Sequence, residues 1–542
     1  MRRFCNVLVG AISLVGLAVA DTPAPPAIVP GGIVNAASQL PPSLRGGALS
    51  PDARFIIPGV RLGPEIPVRG SESNPPDKLA LVSVRIAQGD RVAYARLLMV
   101  SATRIDAVMP EAPLGQVQLT VTYGAFTSEP YTLTVAAASV GFYSSDTAPD
   151  SLPDAKRKPD AAPGDTVTLW GTGMAGYSGT ALQVVVGGKF AENILMGAHI
   201  CCAGVQSVTF RVPAGTPLGC FVPVQARTLD GLPSNAIPIA VHAPGEPCRD
   251  ELDWFREGVE KARRAGFLAL ARISIDMHLG PHAGSQFQFD YGISSFGRQE
   301  SGQRQFPPLP PAGTCTVLTA RLNLRQILGQ ARAAEWTSIP EPTRGNRRLD
   351  AGEAISLAGP SGAQALPRDA RQQDYYAALL GGQGPFSRGA VKPLYLNRGS
   401  YTVSTPGGAD VGPFSVKVEV TPAVVWKNRG RMDAIDRDAG ATLEWKAARA
   451  NDAMLILAVN ADRNSGDSAV CLCMAQAGDG HFGIPPIALG NLPPTREEDD
   501  LSASYLLLME MPVNPPARIE ARGLDSAFVA FVSASARLVR YR

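Results

Sequence analysis

The chain has 542 residues, of which 45% are hydrophobic and 18% are charged, and it contains 55 glycines and 47 prolines. This length exceeds what one hydrophobic core supports, so we expect roughly three domains, and the apolar content excludes a disordered chain. The formal net charge of +2 excludes a dedicated nucleic-acid-binding protein, which would show a strongly basic face.

Residues 1–20 have the three parts of a secretory signal peptide. Two arginines follow Met1, residues 7–19 are an apolar run, and the tripeptide AVA at 18–20 is a small-x-small cleavage pattern. We predict a secreted mature chain that begins at Asp21 and is extracellular, cell-surface or periplasmic. The alternative is an uncleaved anchor, but the run is shorter than the roughly 20 apolar residues that span a bilayer. No later segment is longer, so we expect no membrane span in the mature chain.

Residues 31–137 and 138–247 follow one plan. In the second block, TVTLW at 166–170 is a β-branched, apolar stretch between turn-forming residues, and VTFRV places Val208 and Phe210 on one face. Short strands between Gly/Pro turns, without helical periodicity, predict a β-sandwich. The first block repeats the order of these signals, which indicates an internal repeat of about 100 residues. A polar stretch at 144–162 is a surface loop or linker.

The two blocks resemble immunoglobulin-like IPT/TIG modules, in the tandem arrangement found in bacterial secreted proteins of unassigned function. The resemblance covers residues 31–245 and rests on Gly-Thr-Gly at 171–173 after a strand, on Gly187-Gly188 and on Ser234-Asn235. The first block departs from the pattern, with Pro58-Gly59-Val60 where Gly-Thr-Gly is expected. The resemblance implies extracellular scaffolding or binding, and it carries no catalytic residues.

Residues 248–542 form a β-rich C-terminal region with one or two short helices. Residues 250–265 predict a helix, because acidic residues open the segment and basic residues close it, as the helix dipole favours. Residues 321–336 are a second helix candidate. The stretches 337–348 and 359–398 read as long loops, which can mark a boundary between two lobes.

The predicted fold class is therefore mainly β, with tandem immunoglobulin-like β-sandwiches followed by the β-rich C-terminal region. Predicted strands in that region occupy residues 267–275, 286–296, 315–322, 354–358, 400–404, 415–426, 441–445, 453–459, 470–477, 505–511 and 527–541.

Eight cysteines occur, and seven remain after Cys5 leaves with the signal peptide. Export would place them where disulfides persist, and the odd number requires at least one free or intermolecular thiol. A bridge from Cys220, which begins a strand, to Cys248, just after the last strand, would lock the exit of the second module, and the resemblance supports this pair. Cys315 and Cys473 would similarly tie the C-terminal region.

Two cysteine patterns and one acidic turn raise the question of metals. Cys201-Cys202 and Cys471-x-Cys473 fit either disulfides or metal ligands, although neither supplies a known tetrahedral spacing. Asp462, Asn464 and Asp467 alternate oxygen ligands that can wrap Ca²⁺. A plain β-turn needs the same residues, and the Glu that an EF-hand requires is missing.

Other catalytic and cofactor motifs are out of context. GTGMAG at 171–176 fits the GxGxxG pattern, but it leads into another strand rather than the helix that holds a pyrophosphate, so we predict no cofactor. His278 and His282 are separated by Gly280-Pro281, which makes a turn and not a shared helical face. No GxSxG, HExxH or Walker pattern occurs.

Two functions stay open at this point. The favoured one is a secreted or cell-surface, non-enzymatic scaffold or recognition protein that binds an extracellular protein or polysaccharide. The alternative is an exported enzyme, such as a glycan hydrolase, whose carboxylates lie in residues 249–542. Such carboxylates need only be about 5–10 Å apart in space. A polar cleft with carboxyl groups of raised pKa would favour the enzyme.

Overall fold

The structure is a computed structural model. It describes residues 24–174, 182–199, 201–250, 252, 254, 262–277, 284–298, 308–321, 347–369, 375–385, 390–462, 464–496, 504–514 and 516–542. The described residues are almost entirely β, which confirms the predicted mainly-β fold class. The predicted signal peptide, His278 and His282 lie outside them.

The first module is a sandwich of two sheets. Its strands are β1 (Ala27–Ile28), β2 (Val34–Asn35), β3 (Arg54–Val60), β4 (Val68–Arg69), β5 (Lys78–Leu79), β6 (Val82–Gln88), β7 (Arg91–Tyr94), β8 (Arg96–Val100), β9 (Arg104–Val108), β10 (Gly115–Tyr123), β11 (Phe126–Thr127) and β12 (Tyr131–Val135). One sheet has the order β1-β3-β9-β8-β4 and the other β11-β10-β6-β5. In β10, Val117, Leu119 and Val121 are buried while Gln118 is exposed. This two-residue alternation gives each sheet one apolar face, and the two faces enclose the core.

The second module is built in the same way. Its strands are β13 (Gly141–Phe142), β14 (Asp160–Ala161), β15 (Thr166–Thr172), β16 (Leu182–Val186), β17 (Lys189–Phe190), β18 (Glu192–Ala198), β19 (Gln206–Arg211), β20 (Gly219–Thr228) and β21 (Ile237–Val241). The sheets are β13-β15-β19-β18 and β14-β21-β20-β16-β17. Val208 and Phe210, predicted to share a face, are fully buried in the core between these sheets. Thr209 lies on the opposite face of β19.

The C-terminal region contains one long sheet and two small ones. Its strands are β22 (Arg264–Met277), β23 (Ser285–Arg298), β24 (Thr314–Arg321), β25 (Arg347–Arg348), β26 (Ala354–Gly359), β27 (Gly362–Asp369), β28 (Tyr375–Gln383), β29 (Gly399–Thr405), β30 (Phe414–Val420), β31 (Val425–Trp426), β32 (Ala434–Ile435), β33 (Ala441–Lys446), β34 (Ala453–Ala461), β35 (Asp467–Gln476), β36 (His481–Ile484), β37 (Tyr505–Met511), β38 (Ala517–Arg518), β39 (Ser526–Leu538) and β40 (Arg540–Tyr541). The small sheets are β31-β33-β36 and β32-β40, and the main order of the long sheet is β24-β35-β34-β37-β39-β22-β23-β28-β27-β26-β29-β30. β22 pairs in parallel with β39, whereas it pairs antiparallel with β23.

Two large apolar cores lie along this sheet. One surrounds Trp445 and Tyr541 and uses the buried faces of β34, β35 and β37. The other surrounds Phe296, Tyr376 and Tyr401 and uses β22, β23 and β28. The long strands β22 and β39 lie between β37 and β23 in the sheet, so the two cores share one continuous hydrogen-bonded backbone.

Helical structure is short in the described residues. The helix α1 spans Pro486–Leu489, and single 3₁₀ turns span Pro153–Lys156, Arg429–Arg431 and Ala477–Asp479. None of the helices described is long and apolar enough to cross a bilayer. Most of the helix predicted at 250–265 and nearly all of that at 321–336 lie outside the described residues.

Three details of the sequence prediction are wrong. Arg264 and Ala265 begin β22 instead of ending a helix, because their backbones pair with β23. Arg321 ends β24 instead of opening a second helix. The loop predicted at 359–398 contains β27 and β28, whose glycines, alanines and one proline have low strand propensity and become strands by pairing with their neighbours.

Direct contacts join the three parts of the chain. Between the modules, the Asn35 side-chain amide donates to the carbonyl of Ser139 (2.9 Å), and the backbone N–H of Arg54 donates to the hydroxyl of Thr172 (2.7 Å). We call residues 41–47 the docking loop, because this loop reaches the C-terminal region. Its Leu44 is buried in the core around Trp445, and its Arg45 pairs with Asp438.

Candidate functional site

A polar cleft of about 560 Å³ opens in the C-terminal region. Its walls come from β30, from the turn at 449–452 that precedes β34, and from residues 529–533 of β39. Asp452 and Glu510 both line it. Glu419 lines it as well, and these three carboxyl groups are candidates for acid or base chemistry in what we call the C-terminal cleft.

Glu510 is tied to the backbone at the cleft wall. The residue is 4% exposed, and its carboxylate oxygens accept hydrogen bonds from the backbone N–H groups of Ala448 (2.9 and 3.2 Å) and Arg449 (3.0 Å). Burial raises the pKa of Glu510, while these backbone hydrogen bonds and the charge of Arg449 oppose the rise. The side chain therefore fixes the turn between β33 and β34 to β37.

The pKa of Asp452 lies well above the usual value for an aspartate. Burial raises its pKa to about 6, the nearby Arg449 guanidinium lowers it, and the negative charge of Glu510 raises it further. The side chain is only half-buried, and it stands at the end of the turn where β34 begins. A carboxyl group with this pKa exchanges protons near neutral pH.

The cleft offers hydrogen-bonding groups and one group suited to proton transfer. Glycoside hydrolysis uses two carboxyl groups that both face the substrate. The oxygens of Glu510 already accept backbone N–H groups, and Glu419 lies on the exposed face of β30. Glu419 also lines the cleft, so the arrangement places Asp452, as an acid or base, and an exposed carboxylate in the same cleft.

The structure joins the two cysteine pairs named in the sequence. Cys220 at the start of β20 is bonded to Cys248, 28 residues later, beyond the last strand of the second module. Cys315 on β24 is bonded to Cys473 on β35, and these residues face each other in the register of the two strands. The first bridge ties the exit of the second module, and the second links β24 to the sheet.

Two further cysteine features were left open by the sequence. Cys201 and Cys202 are bonded to each other, and the sulfur atoms lie near a ring nitrogen of His199, with these atoms within 4.8 Å of one another. Cys471 is the free cysteine among the described residues, and its sulfur is 3.7 Å from that of Cys473. Sulfurs held in disulfides are not thiolates, so neither cluster presents a set of thiolate ligands in this state.

The acidic turn named as a calcium candidate is a hairpin turn between β34 and β35. One oxygen of Asp462 accepts the backbone N–H groups of Asn464 (2.8 Å) and Ser465 (3.1 Å), and the other pairs with Arg496 (3.2 Å). The backbone of Asp467 closes the hairpin onto Asp462. These bonds hold the turn by themselves, and the calcium site stays a prediction.

The sequence alone did not identify the C-terminal cleft. Asp452 and Glu510 come together because β34 pairs with β37 in the sheet, and no local pattern around either residue signals that pairing. The GxGxxG match is partly outside the described residues, since 175–181 are not among them. β15 precedes that gap and β16 follows it.

No protein-family model matches this chain, and no curated protein matches it either. Solved structures similar to it include titin Ig tandem domains, at 12% identity over 36% of this chain and 90% of that chain, with a TM-score of 0.13. They also include SGBP-B from a complex xyloglucan utilization locus in Bacteroides uniformis, at 11% identity over 73% and 97%, with a TM-score of 0.18. Domains 5–6 of the S-layer protein SbsC match at 10% identity over 40% and 99%, with a TM-score of 0.16. TM-scores this low carry no argument about function, and the IPT/TIG assignment stays a resemblance.

Proposed function

We propose that this chain is a secreted or cell-surface, non-enzymatic recognition protein, with two immunoglobulin-like modules at 31–137 and 138–247 placed on the β-rich region 248–542. The observation that carries the proposal is the direct contact between these parts: Asn35 donates a hydrogen bond to Ser139, and Leu44 packs into the C-terminal core. Modules fixed to one another present their loops and edges at constant spacing. Such preorganisation lowers the entropy lost on binding a partner.

The cysteines support an oxidising location. Six of the described cysteines are paired in disulfides, which persist in extracellular and periplasmic compartments. Together with the predicted signal peptide, this pattern favours export. N-terminal sequencing of the protein from culture supernatant, periplasm and cell surface should therefore give Asp21 as the first residue. Full-length protein confined to the cytoplasm would contradict this location.

The partner class is an extracellular protein or a polysaccharide. We expect purified residues 21–542 to bind saturably to at least one of an extracellular protein fraction and a set of insoluble polysaccharides, measured by pull-down and biolayer interferometry. The heat-unfolded chain is the control for non-specific adsorption. If the chain binds saturably to neither fraction, the recognition proposal is overturned.

The second candidate function is an exported glycan hydrolase, which the raised pKa of Asp452 in the C-terminal cleft favours. The test is the release of reducing ends from a panel of glycans by the wild type and by Asp452→Asn and Glu510→Gln. Asp479→Asn, which changes an exposed carboxylate outside the cleft, is the matched control. The recognition proposal predicts no release by any of the four. Release that is lost in Asp452→Asn and kept in Asp479→Asn would establish the enzyme instead.

A further inference from the structure

A second cleft, of about 330 Å³, lies where the two modules meet. One wall is the outer face of the first module's sheet, from β3, β8 and β9. The other wall is the segment 143–150, which enters the second module and begins the polar linker. We call it the junction cleft, and its volume is within the range of small-molecule sites.

The junction cleft contains a buried hydroxyl group without a hydrogen-bond partner. Tyr143 lines the cleft, is 4% exposed, and its hydroxyl has no partner among the described residues. Burial raises the pKa of Tyr143, and the charges of Arg54, Glu72 and Asp106 also act on it, so the hydroxyl lies close to the charged wall. An unpaired buried hydroxyl costs stability, and a ligand atom that bonds to it would remove that cost.

Two short ion pairs lie in the wall that the first module supplies. Arg54 pairs with Glu72 (2.7 Å), and Arg104 pairs with Asp106 (2.7 Å). Arg69, Asp146 and Asp150 also line the cleft, and Arg69 and Asp150 are 3.9 Å apart with exposed side chains. An anionic ligand that binds Arg54 in place of Glu72 would have to break their pair, which is strongly unfavourable because Arg54 is nearly buried. A ligand hydroxyl both donates and accepts, so it can bond to a guanidinium and a carboxylate together while the pairs stay intact.

The rest of the lining suits the same kind of ligand. Leu98, Met99 and Pro149 contribute apolar surface beside the polar groups. A saccharide combines hydroxyl groups with apolar C–H faces, and it therefore matches both parts of the wall.

We propose that the junction cleft binds a neutral saccharide, with Tyr143 and the paired charges of the first module as its recognition groups. The inference rests on the proposed recognition function, because the site requires the modules to be docked. The backbone of Ala203, from the loop that carries the Cys201–Cys202 disulfide, accepts from Arg54 Nε (2.7 Å) and donates to the carbonyl of Glu72 (2.8 Å). The second module thus holds the charged wall in position.

The experiment is isothermal titration of residues 21–542 with glucose, galactose, N-acetylglucosamine, maltose, cellobiose and lactose, and with N-acetylneuraminic acid as a charged comparison. We expect at least one neutral probe to bind with an affinity that does not change between low and high salt, because no ion pair forms with a neutral ligand. Tyr143→Phe should weaken that binding about tenfold, since it removes one buried hydrogen bond. Tyr94→Phe makes the same chemical change on exposed β7 and should leave binding unchanged.

Thermal melts without a probe separate recognition from structure. Tyr143→Phe should melt at the wild-type temperature or above it, because it deletes an unpaired buried hydroxyl. Asp106→Asn keeps the shape of the side chain and removes its negative charge, and it should also weaken binding of the neutral probe. A lower melting temperature for Tyr143→Phe with unchanged probe binding would show a structural hydroxyl, satisfied by water, and would overturn the proposal.

The remaining outcomes distinguish this inference from the function on which it rests. Probe binding that is equal in the wild type, Tyr143→Phe and Asp106→Asn would overturn the junction cleft as the site and leave the recognition function standing. Preference for N-acetylneuraminic acid would overturn the neutral ligand. If none of the probes binds, the assignment of a saccharide ligand is overturned. The pull-down with extracellular proteins then decides the recognition function separately.

Discussion

At the scale of single residues, Cys471 shows how burial controls reactivity. It lies 3.7 Å from a disulfide sulfur, and burial raises its pKa to about 12. At pH 8 only about one thiol in ten thousand is then ionised, and the thiolate is the species that reacts. We therefore expect iodoacetamide to leave the native chain unlabelled.

Denaturation provides the control for this prediction. In guanidinium chloride without reductant, one thiol per mature chain should be labelled, and peptide mapping should place it at Cys471. Rapid labelling of Cys471 in the native chain, or recovery of more than one free thiol after denaturation, would contradict the arrangement of sulfurs described above.

Asp452 predicts a pH dependence of stability. Its pKa in the folded chain is raised to about 6, from an ordinary value near 4, so its protonated form stabilises the fold. This stabilisation is fully present below about pH 4 and is lost as the pH rises through 6. Asp452→Asn removes the ionisation and should raise the free energy of unfolding relative to the wild type at pH 8, by about 1 kcal/mol after solvent screening of this half-exposed group is allowed for. The advantage should be smaller at pH 4.5.

Chemical denaturation at the two pH values measures this difference. Asp479→Asn, an exposed change, should show no such pH dependence. An Asp452→Asn variant that is less stable than the wild type by the same amount at both pH values would mean that the carboxyl group acts as a hydrogen-bond acceptor and not as a buried charge.

The residue scale also shows where sequence reasoning stops. The pair Cys220 and Cys248 was predicted from export, from the two positions at the exit of the second module and from the resemblance to IPT/TIG modules. Asp452 and Glu510 were missed because each sits in ordinary local sequence. Their proximity comes from the pairing of β34 with β37, which neither strand encodes by itself.

At the scale of elements, Asp290 explains how residues 395 and 396, at the end of the predicted loop, are held in place. Its fully buried carboxylate pairs with Arg272 through two bonds of 2.8 Å and accepts the backbone N–H groups of Tyr395 and Leu396 at 2.7 Å. One side chain on β23 thus connects β22 to the segment that follows β28. Periodicity cannot reveal such a bond, because it joins residues far apart in the chain.

This bonding makes Asp290→Asn a severe change. The asparagine keeps the shape but leaves Arg272 without its counter-charge, and breaking a buried ion pair costs about 3–5 kcal/mol. We expect urea unfolding to show a loss of that order and hydrogen exchange to increase around β28. Asp438→Asn, which breaks the exposed pair with Arg45, should cost much less. Equal losses in the two variants would refute the special role of Asp290.

The disulfide between Cys220 and Cys248 is expected to stabilise the second module. It closes a loop of 28 residues, for which the loss of chain entropy in the unfolded state gives about 3–4 kcal/mol. Replacing both cysteines by Ser should lower the melting temperature of the second module and leave that of the first unchanged. The oxidised wild type is the reference for this comparison.

Calorimetry of the double variant and of the wild type resolves the two modules. The second module of the oxidised wild type should melt above that of the Ser variant. A variant that melts with the wild type would show that the bridge adds no stability, as happens when native strain offsets the entropy gain.

At the scale of the whole molecule, the two modules proposed at 31–137 and 138–247 rest on local signals, because each core is built from neighbouring strands. Val208 and Phe210 on one strand indicate the buried face of the second module, and this pattern does not depend on how the module contacts the rest of the chain. The docking of the modules onto the C-terminal region was not predictable. Leu44 lies in a short loop without strand or helix periodicity, and only the structure shows that it enters the core around Trp445.

A substitution at Leu44 distinguishes the stability of the modules from that of the complete chain. In a fragment of residues 31–245 the C-terminal core is absent, so Leu44 loses the apolar partners that bury it to 4% exposure. The fragment should still fold, with β-type circular dichroism and a cooperative melt, because both module cores are complete without Leu44.

Leu44→Ala should destabilise the full chain by about 2 kcal/mol or more, since it leaves a cavity in a packed core, and should leave the fragment unchanged. Leu62→Ala, which empties the first module's own core, should destabilise fragment and full chain alike. Circular dichroism melts of the six proteins decide the matter, and a loss in the fragment on Leu44→Ala would show that the docking loop belongs to the module's fold instead of to its attachment.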